Sequence, residues 1–121
     1  MAVSRIVSLN VNGMRDNNKR KRVFGWARSH NSDFFMLQET HKTYSDSWDT
    51  EWSGQSIWAH GSNFSRGCAV LIKPNSAFMI RNSRTNVNGR YILVNIENCG
   101  CWLTLVCLYA PDTPGSRPDF F

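Results

Sequence analysis

The run Asp33-Phe34-Phe35-Met36-Leu37-Gln38 constrains this chain more than any other stretch. It is apolar without alternation and too short for an ordinary helix, so it reads as a strand buried on both faces. A strand of that kind sits inside a sheet that is covered above and below. The chain is therefore expected to be an α/β layered structure rather than a bundle or an open hairpin.

The residues before that run supply its partners. Arg5 to Val11 alternates enough to be a strand, and Asn17 to His30 carries Val23, Trp26, Ala27 and His30 at i, i+3, i+4 and i+7, the spacing of one helical face. Asn31-Ser32 closes the helix. A β-α-β crossover of this kind is right-handed, which makes the two strands parallel and neighbouring or nearly so. Their carboxyl ends then point the same way, carrying "NVNG" (Asn10 to Gly13) and "QETH" (Gln38 to His41). Ligands of such sheets gather at those ends.

After Gly54 the pattern changes to short strands between turns: "QSIWAHG", "GCAVLIK", "AFMIRN", "RYILVNIE" and "CWLTLVCLYAP". Gly61 to Gly67 and Asn98-Cys99-Gly100 carry hairpin chemistry, so the expectation is an antiparallel meander. A parallel start joined to a meander points to a mixed sheet with helices outside, forming one layer of a two-sheet sandwich.

A length of 121 residues allows one small domain or a piece of one. The final "GSRPDFF" holds Ser116 and Pro118 as helix-start signals, with Asp119 in the first turn. Residues 1–121 are accordingly expected to be the N-terminal part of a larger single domain. With 41% hydrophobic and 19% charged residues and no repeat, disordered and solenoid architectures are excluded. Asn10 and Asn12 interrupt any signal-peptide apolar core, and no stretch approaches the ~20 apolar residues of a membrane helix. An intracellular site, nuclear or cytoplasmic, with no membrane partner is the expectation. Cys68, Cys99, Cys101 and Cys107 fit neither a redox C-x-x-C nor a paired zinc motif and are expected to be reduced, structural thiols.

Several residues are candidates for chemistry. Glu39 follows "FFML" at the end of a buried strand; it either emerges into solvent, caps a loop, or serves as a ligand to a hard cation such as Mg²⁺. Asn10 and Asn12 share a face of an extended strand. Asn12-Gly13 is explained by turn chemistry, whereas Asn10 inside the strand is not. Tyr109 ends an apolar strand ahead of Ala110-Pro111, packed in the core or reaching outward with its hydroxyl. Lysine and arginine exceed aspartate and glutamate by 14 to 9, and Lys19, Arg20, Lys21 and Arg22 are consecutive. That tetrad is either a solvated first helical turn or a surface for a polyanion. His30, His41 and His60 have no metal-ligand spacing, and no catalytic-triad or phosphate-loop pattern occurs.

Taken in order, "LNVNG", "LQETH", "GCAVLI", "RYILVNIE" and "LTLVCLYAP" resemble the endonuclease/exonuclease/phosphatase superfamily, nearest to the apurinic-like endonuclease domain of the reverse-transcriptase polyproteins of LINE-type retrotransposons. The resemblance runs from about Ser4 to the last residue. It implies part of a DNase I-like four-layered α/β sandwich with mixed, largely antiparallel sheets, hydrolysing phosphodiesters with Mg²⁺ or Mn²⁺. By position it makes Glu39 the metal carboxylate, Asn10 the active-site asparagine and Tyr109 the tyrosine that contacts the scissile phosphate. Asn12 stands where the family carries Asp or Asn. Asp112 replaces an asparagine and would repel phosphate unless a metal or proton intervenes. With Lys19, Arg20, Lys21 and Arg22 these form the expected substrate-binding set.

The family's Gly-Asp-x-Asn and Ser-Asp-His motifs are absent from these residues. The resemblance thus implies a DNA-nicking endonuclease present as an incomplete, inactive fragment, whose partners are DNA and the remainder of the domain or polyprotein. A non-catalytic or vestigial nucleic-acid-binding module and a phosphatase of the same superfamily are the alternatives. Half a sandwich also leaves an apolar sheet face uncovered, so the chain alone is expected to be marginally stable or to aggregate.

Overall fold

A computed structural model describes residues 5–109. β1 (Ile6–Asn10), α1 (Asn17–Ser29) and β2 (Phe34–Gln38) form the crossover, followed by α2 (Trp48–Trp52) and the strands β3 (Ser56–Ala59), β4 (Cys68–Ile72), β5 (Met79–Thr85), β6 (Tyr91–Asn98) and β7 (Cys101–Leu108). β1 and β2 are parallel and adjacent, with Ile6 opposite Phe34 and Asn10 opposite Gln38.

The downstream strands do not make one meander. β3 and β4 form a hairpin, but β4 also pairs antiparallel with β2, giving a four-stranded mixed sheet of order β1-β2-β4-β3. Only β5, β6 and β7 continue as a separate antiparallel sheet. The physical reason lies in β4: Cys68 to Ile72 is buried at every position, so it needs a neighbour on each side and a layer on each face.

The pleat of β2 and β4 divides the core. Phe34, Met36, Cys68, Val70 and Ile72 face the second sheet, where they meet Ile92, Val94, Ile96, Leu105 and Cys107. Phe35, Leu37, Ala69 and Leu71 face the helices, meeting Phe24, Ala27, Trp48 and Trp52. Three of the four expected layers are therefore present among the described residues: helices, mixed sheet, antiparallel sheet. On the outer face of the antiparallel sheet Trp102, Val106 and Leu108 are exposed. Among the described residues no helix is long and apolar enough to cross a membrane.

Helix α1 starts where Asp16 accepts a hydrogen bond from the Lys19 N–H at 2.8 Å, a side-chain N-cap. Its buried stripe is Arg20, Phe24 and Ala27; of the expected face Ala27 is buried and Val23 packs partly against the core, while Trp26 is 39% exposed. The stripe is turned from the expected face because Arg20 is drawn inward. Its guanidinium instead lies inside, donating to Glu51 (2.8 Å), Asn17 (2.6 Å) and the carbonyls of Met14 and Arg15, with the Trp48 ring 4.8 Å away. The fork of donors crosses from α1 to α2 and to the turn before α1.

Arg20→Ala is expected to destabilise the chain by about 2–4 kcal/mol, because it strands the Met14 carbonyl and leaves Trp48 unsupported. Arg20→Lys is expected to recover little of this, since one ammonium cannot reproduce the fork. Urea denaturation followed by tryptophan fluorescence reads both.

Candidate active site at the carboxyl ends of the parallel strands

Asn10 is the last residue of β1 and Glu39 the first after β2, and the in-register pairing of these strands sets them side by side. The Asn10 Nδ2 donates to Glu39 Oε2 at 2.7 Å, while Asn10 Oδ1 accepts from the Asn12 N–H at 2.9 Å. These two bonds define which way the amide points: its oxygen faces the turn and its nitrogen the carboxylate. Just after β7, Tyr109 reaches the same group, its hydroxyl lying 3.4 Å from Glu39 Oε1. Tyr109 also packs against the core between the sheets, so its ring is held while its hydroxyl reaches the carboxylate.

Beyond the strands the two chain segments stay paired, with Gly13 N–H donating to Glu39 O at 2.6 Å and Met14 N–H to Thr40 O at 3.1 Å. The backbone here is unusual: Asn12 (φ 51°), Glu39 (φ 55°) and His41 (φ 64°) are all left-handed non-glycine residues. Such conformations cost energy and cluster at functional sites. Gly13 (φ 82°) completes the turn, and a Cβ there would stand 2.7 Å from His41 Nδ1. The Asn12-Gly13 turn is thus real, and it makes room for an imidazole.

Burial, reinforced by the nearby Lys19 and Arg15 charges and opposed by Glu39, pushes the His41 imidazole below its ordinary value. Its Nε2 is buried and lacks a partner among the described residues. Lys19 Nζ donates to the Asn12 carbonyl at 3.2 Å, bringing one cation to the rim. Lys21 and Arg22 are exposed on α1, and Arg20 faces inward as described above. The basic tetrad is therefore not one surface: Lys19 borders the site, Lys21 and Arg22 face solvent, and Arg20 is a structural residue. Asp112 lies outside the described residues.

The loop after Glu39 is anchored by a pair not apparent from the sequence. Arg15 grips Asp46 with two nitrogens at 2.6 and 3.1 Å, and Asp46 also accepts from the backbone and hydroxyl of Thr43. The Arg15 hydrogen bond holds the Asp46 carboxyl well below the usual carboxylate range. Because the folded-state value is depressed, this contribution is complete above the unfolded value of about 3.9 and is lost as pH falls below it. Asp46→Asn is expected to cost about 1–2 kcal/mol at pH 7. It should also flatten the loss of stability between about pH 5 and pH 2, read from urea midpoints across that range.

Among the described residues no group of three or more His, Cys, Asp or Glu could hold a metal ion. What the cluster offers a cation is one carboxylate, oriented by an amide and a hydroxyl. That hard-oxygen donor suits Mg²⁺ or Mn²⁺, which take one or two carboxylates and keep water for the rest. The four cysteines are free: Cys68 and Cys107 are buried and Cys99 and Cys101 exposed. The adjacent Cys107 sulfur and burial push the Cys68 thiol up.

Besides Arg15 and Asp46, Arg90 was missed, although its carbonyl accepts from the Tyr109 N–H at 2.8 Å. A lone Gly-Arg after a turn carried no signal for it.

Comparison with known proteins bears on the family and the fold. The model of the Endonuclease/Exonuclease/phosphatase family matches residues 7–119. The chain is 30% identical over 123 residues to the Transposon TX1 uncharacterized 149 kDa protein of Xenopus laevis, a match covering 100% of this chain and 9% of that protein. In three dimensions it is similar to the human Nocturnin catalytic domain, solved with bound sulfate anion, with a TM-score of 0.64 and 17% identity. That superposition covers 94% of this chain and 52% of the Nocturnin chain, and at such identity it speaks to the fold alone.

Proposed function

Because the chain belongs to the endonuclease/exonuclease/phosphatase family, we propose that it forms one wall of a metal-dependent phosphodiesterase site, that of a DNA-nicking endonuclease of a retrotransposon. The observation that carries this reading is the convergence of Asn10, at the end of β1, and Tyr109, just after β7 of the other sheet, on the Glu39 carboxylate. A structural carboxylate would be expected to pair with a cation of the protein; this one is held by an amide and a phenol, leaving lone pairs for a ligand.

In this reading Glu39 would hold Mg²⁺ (or Mn²⁺), and Asn10 orients the carboxylate. A bound divalent cation supplies charge stabilisation for phosphate oxygens as the diester is attacked. The Tyr109 hydroxyl donates to a phosphate oxygen, and Asn12 and Lys19 line the approach. The groups that position water and protonate the leaving oxygen are not among the 121 residues, whose sequence lacks the family's Gly-Asp-x-Asn. We read this chain as the N-terminal portion of such a domain, in keeping with the 52% of the Nocturnin chain that it spans. The transposon relative supports the setting in a mobile-element polyprotein.

The test uses a form extended by its downstream coding sequence, incubated with supercoiled plasmid and Mg²⁺. Nicked circles that disappear with a chelator and with Glu39→Gln are the expected result. Nicking that survives either treatment would overturn the reading. Exposed Lys21 and Arg22 favour a second one, a non-catalytic nucleic-acid-binding module. There the salt dependence of DNA binding should lose about one unit of slope for each of the two replaced by alanine, with no cleavage in any form.

A further inference from the structure

The most exposed large apolar side chains among the described residues are not on the open sheet face. They are Phe64 (87%), Val87 (82%) and Tyr44 (80%), each on a different loop. Scattered exposed apolar residues need no explanation, but these three loops are fastened to one another at the Glu39 end of the sheets. Thr40 N–H donates to Gly67 O and His41 N–H to Arg66 O, joining the loop after β2 to the β3–β4 loop. Gly67 N–H donates to Gly89 O, joining that loop to the β5–β6 turn, and Tyr109 N–H donates to Arg90 O.

The tips are built turns. Ser62 Oγ accepts from the N–H groups of both Phe64 and Ser65, while Ser62 N–H donates to Ser65 O at 2.8 Å, so the ring of Phe64 is presented on a defined loop. Tyr44 lies against His60 with ring centroids 4.1 Å apart. Asn86 organises the Val87 turn by accepting from the N–H groups of Asn88 and Arg90.

The loops that carry Phe64 and Val87 hold positive charge only, whereas the Tyr44 loop also holds Asp46, which Arg15 pairs. Residues 60–67 and 86–90 contain no carboxylate, and they carry Arg66 and Arg90. Neither arginine belongs to an ion pair among the described residues, and Arg90 Nε is buried with no hydrogen-bond partner among them. Aromatic faces interleaved with unneutralised cations beside a phosphodiester site are what a nucleic-acid strand requires, the rings for bases and the cations for phosphates. An apolar protein partner would not need the unpaired arginines.

We propose that Phe64 and Tyr44 are base-stacking contacts for unpaired bases of a DNA strand whose phosphate lies at Glu39, with Arg66 and Arg90 facing its backbone. The proposal rests on the phosphodiesterase reading and adds the residues that hold the substrate. Phe64 stacks as the outermost ring, and Tyr44, braced by His60, takes a base nearer the site.

The experiment is fluorescence anisotropy of the extended form, without divalent cation, with a single-stranded oligodeoxynucleotide carrying 2-aminopurine, whose emission also reports stacking. Phe64→Ala is expected to weaken binding roughly 5- to 150-fold and to remove the emission change, with Tyr44→Ala acting in the same direction. Phe64→Trp should retain both signals, and Phe64→Leu should behave as the alanine variant, because a base stacks on a ring and not on an isobutyl group. Phe64 is a solvent-exposed loop residue, so these variants fold as the parent does. Parental affinity in Phe64→Ala, or equal binding by Phe64→Leu and Phe64→Trp, would overturn the proposal. Phe64-dependent stacking in a protein whose extended form cleaves nothing would overturn the hydrolytic reading alone. Metal-dependent cleavage by a protein that binds equally well without Phe64 would overturn only this one.

Discussion

Replacing Glu39 by glutamine is expected to lower metal-dependent phosphodiester hydrolysis by the extended protein at least about 10³-fold, with the fold intact. The change is nearly isosteric. A glutamine oxygen can still accept from Asn10 Nδ2, which stands 2.7 Å away, and the Tyr109 hydroxyl can still meet the other end of the amide. What is lost is the negative charge, and with it the one carboxylate that Asn10 and Tyr109 orient. Groups acting as a unit around a developing charge show losses of this size when one is removed. Nicking rates with Mg²⁺ and Mn²⁺, together with a metal titration, check it. A parental rate in the variant, with a parental melt, would remove Glu39 from the metal role.

Gly89→Ala is expected to have the largest effect on stability, a loss of about 3–5 kcal/mol. Gly89 sits at φ 70°, where a side chain is strained, and an added Cβ would stand 2.5 Å from His60 O and 2.7 Å from Gly67 N. Both obstacles are backbone, so neither can move aside as a flexible side chain could. The residue also closes the three-loop junction: its carbonyl accepts from Gly67 N–H at 3.1 Å and from the Cys68 thiol at 3.2 Å. Forcing Gly89 away therefore shifts the Gly67 and Arg66 segment on which Thr40 and His41 hang. Thermal melts read the stability, and 2-aminopurine binding should weaken in the same variant even below its melting range. A melt within about 1 kcal/mol of the parent would show that the junction yields.

Much of the sheet was legible before any coordinates because its signals are local. The unbroken run of β2 required cover on both faces, and the crossover rule then made β1 its parallel neighbour. That adjacency alone placed Asn10 beside Glu39. By contrast, α2 left no trace, since Trp48 to Trp52 is one short turn of helix with three polar residues between its buried tryptophans. The division of the later strands into two sheets was also hidden, because a pattern of short strands and turns does not say which neighbour each strand chooses.

The amino-acid sequence by itself determined the elements whose information is periodic or adjacent: the doubly buried strand, the crossover, the turn at Asn12-Gly13 and the emergence of Glu39 at a strand end. Only the tertiary structure decided what depends on residues far apart in the chain. It sent Arg20 inward to Glu51 and left only Lys19 of the tetrad at the rim. It locked Arg15 on Asp46, and it drew Phe64, Tyr44 and Val87 onto loops fastened around the Glu39 carboxylate. The physical reason is the same in each case. A hydrogen bond or ion pair between groups twenty or more residues apart is specified by the packed backbone that brings them together, not by any spacing along the chain.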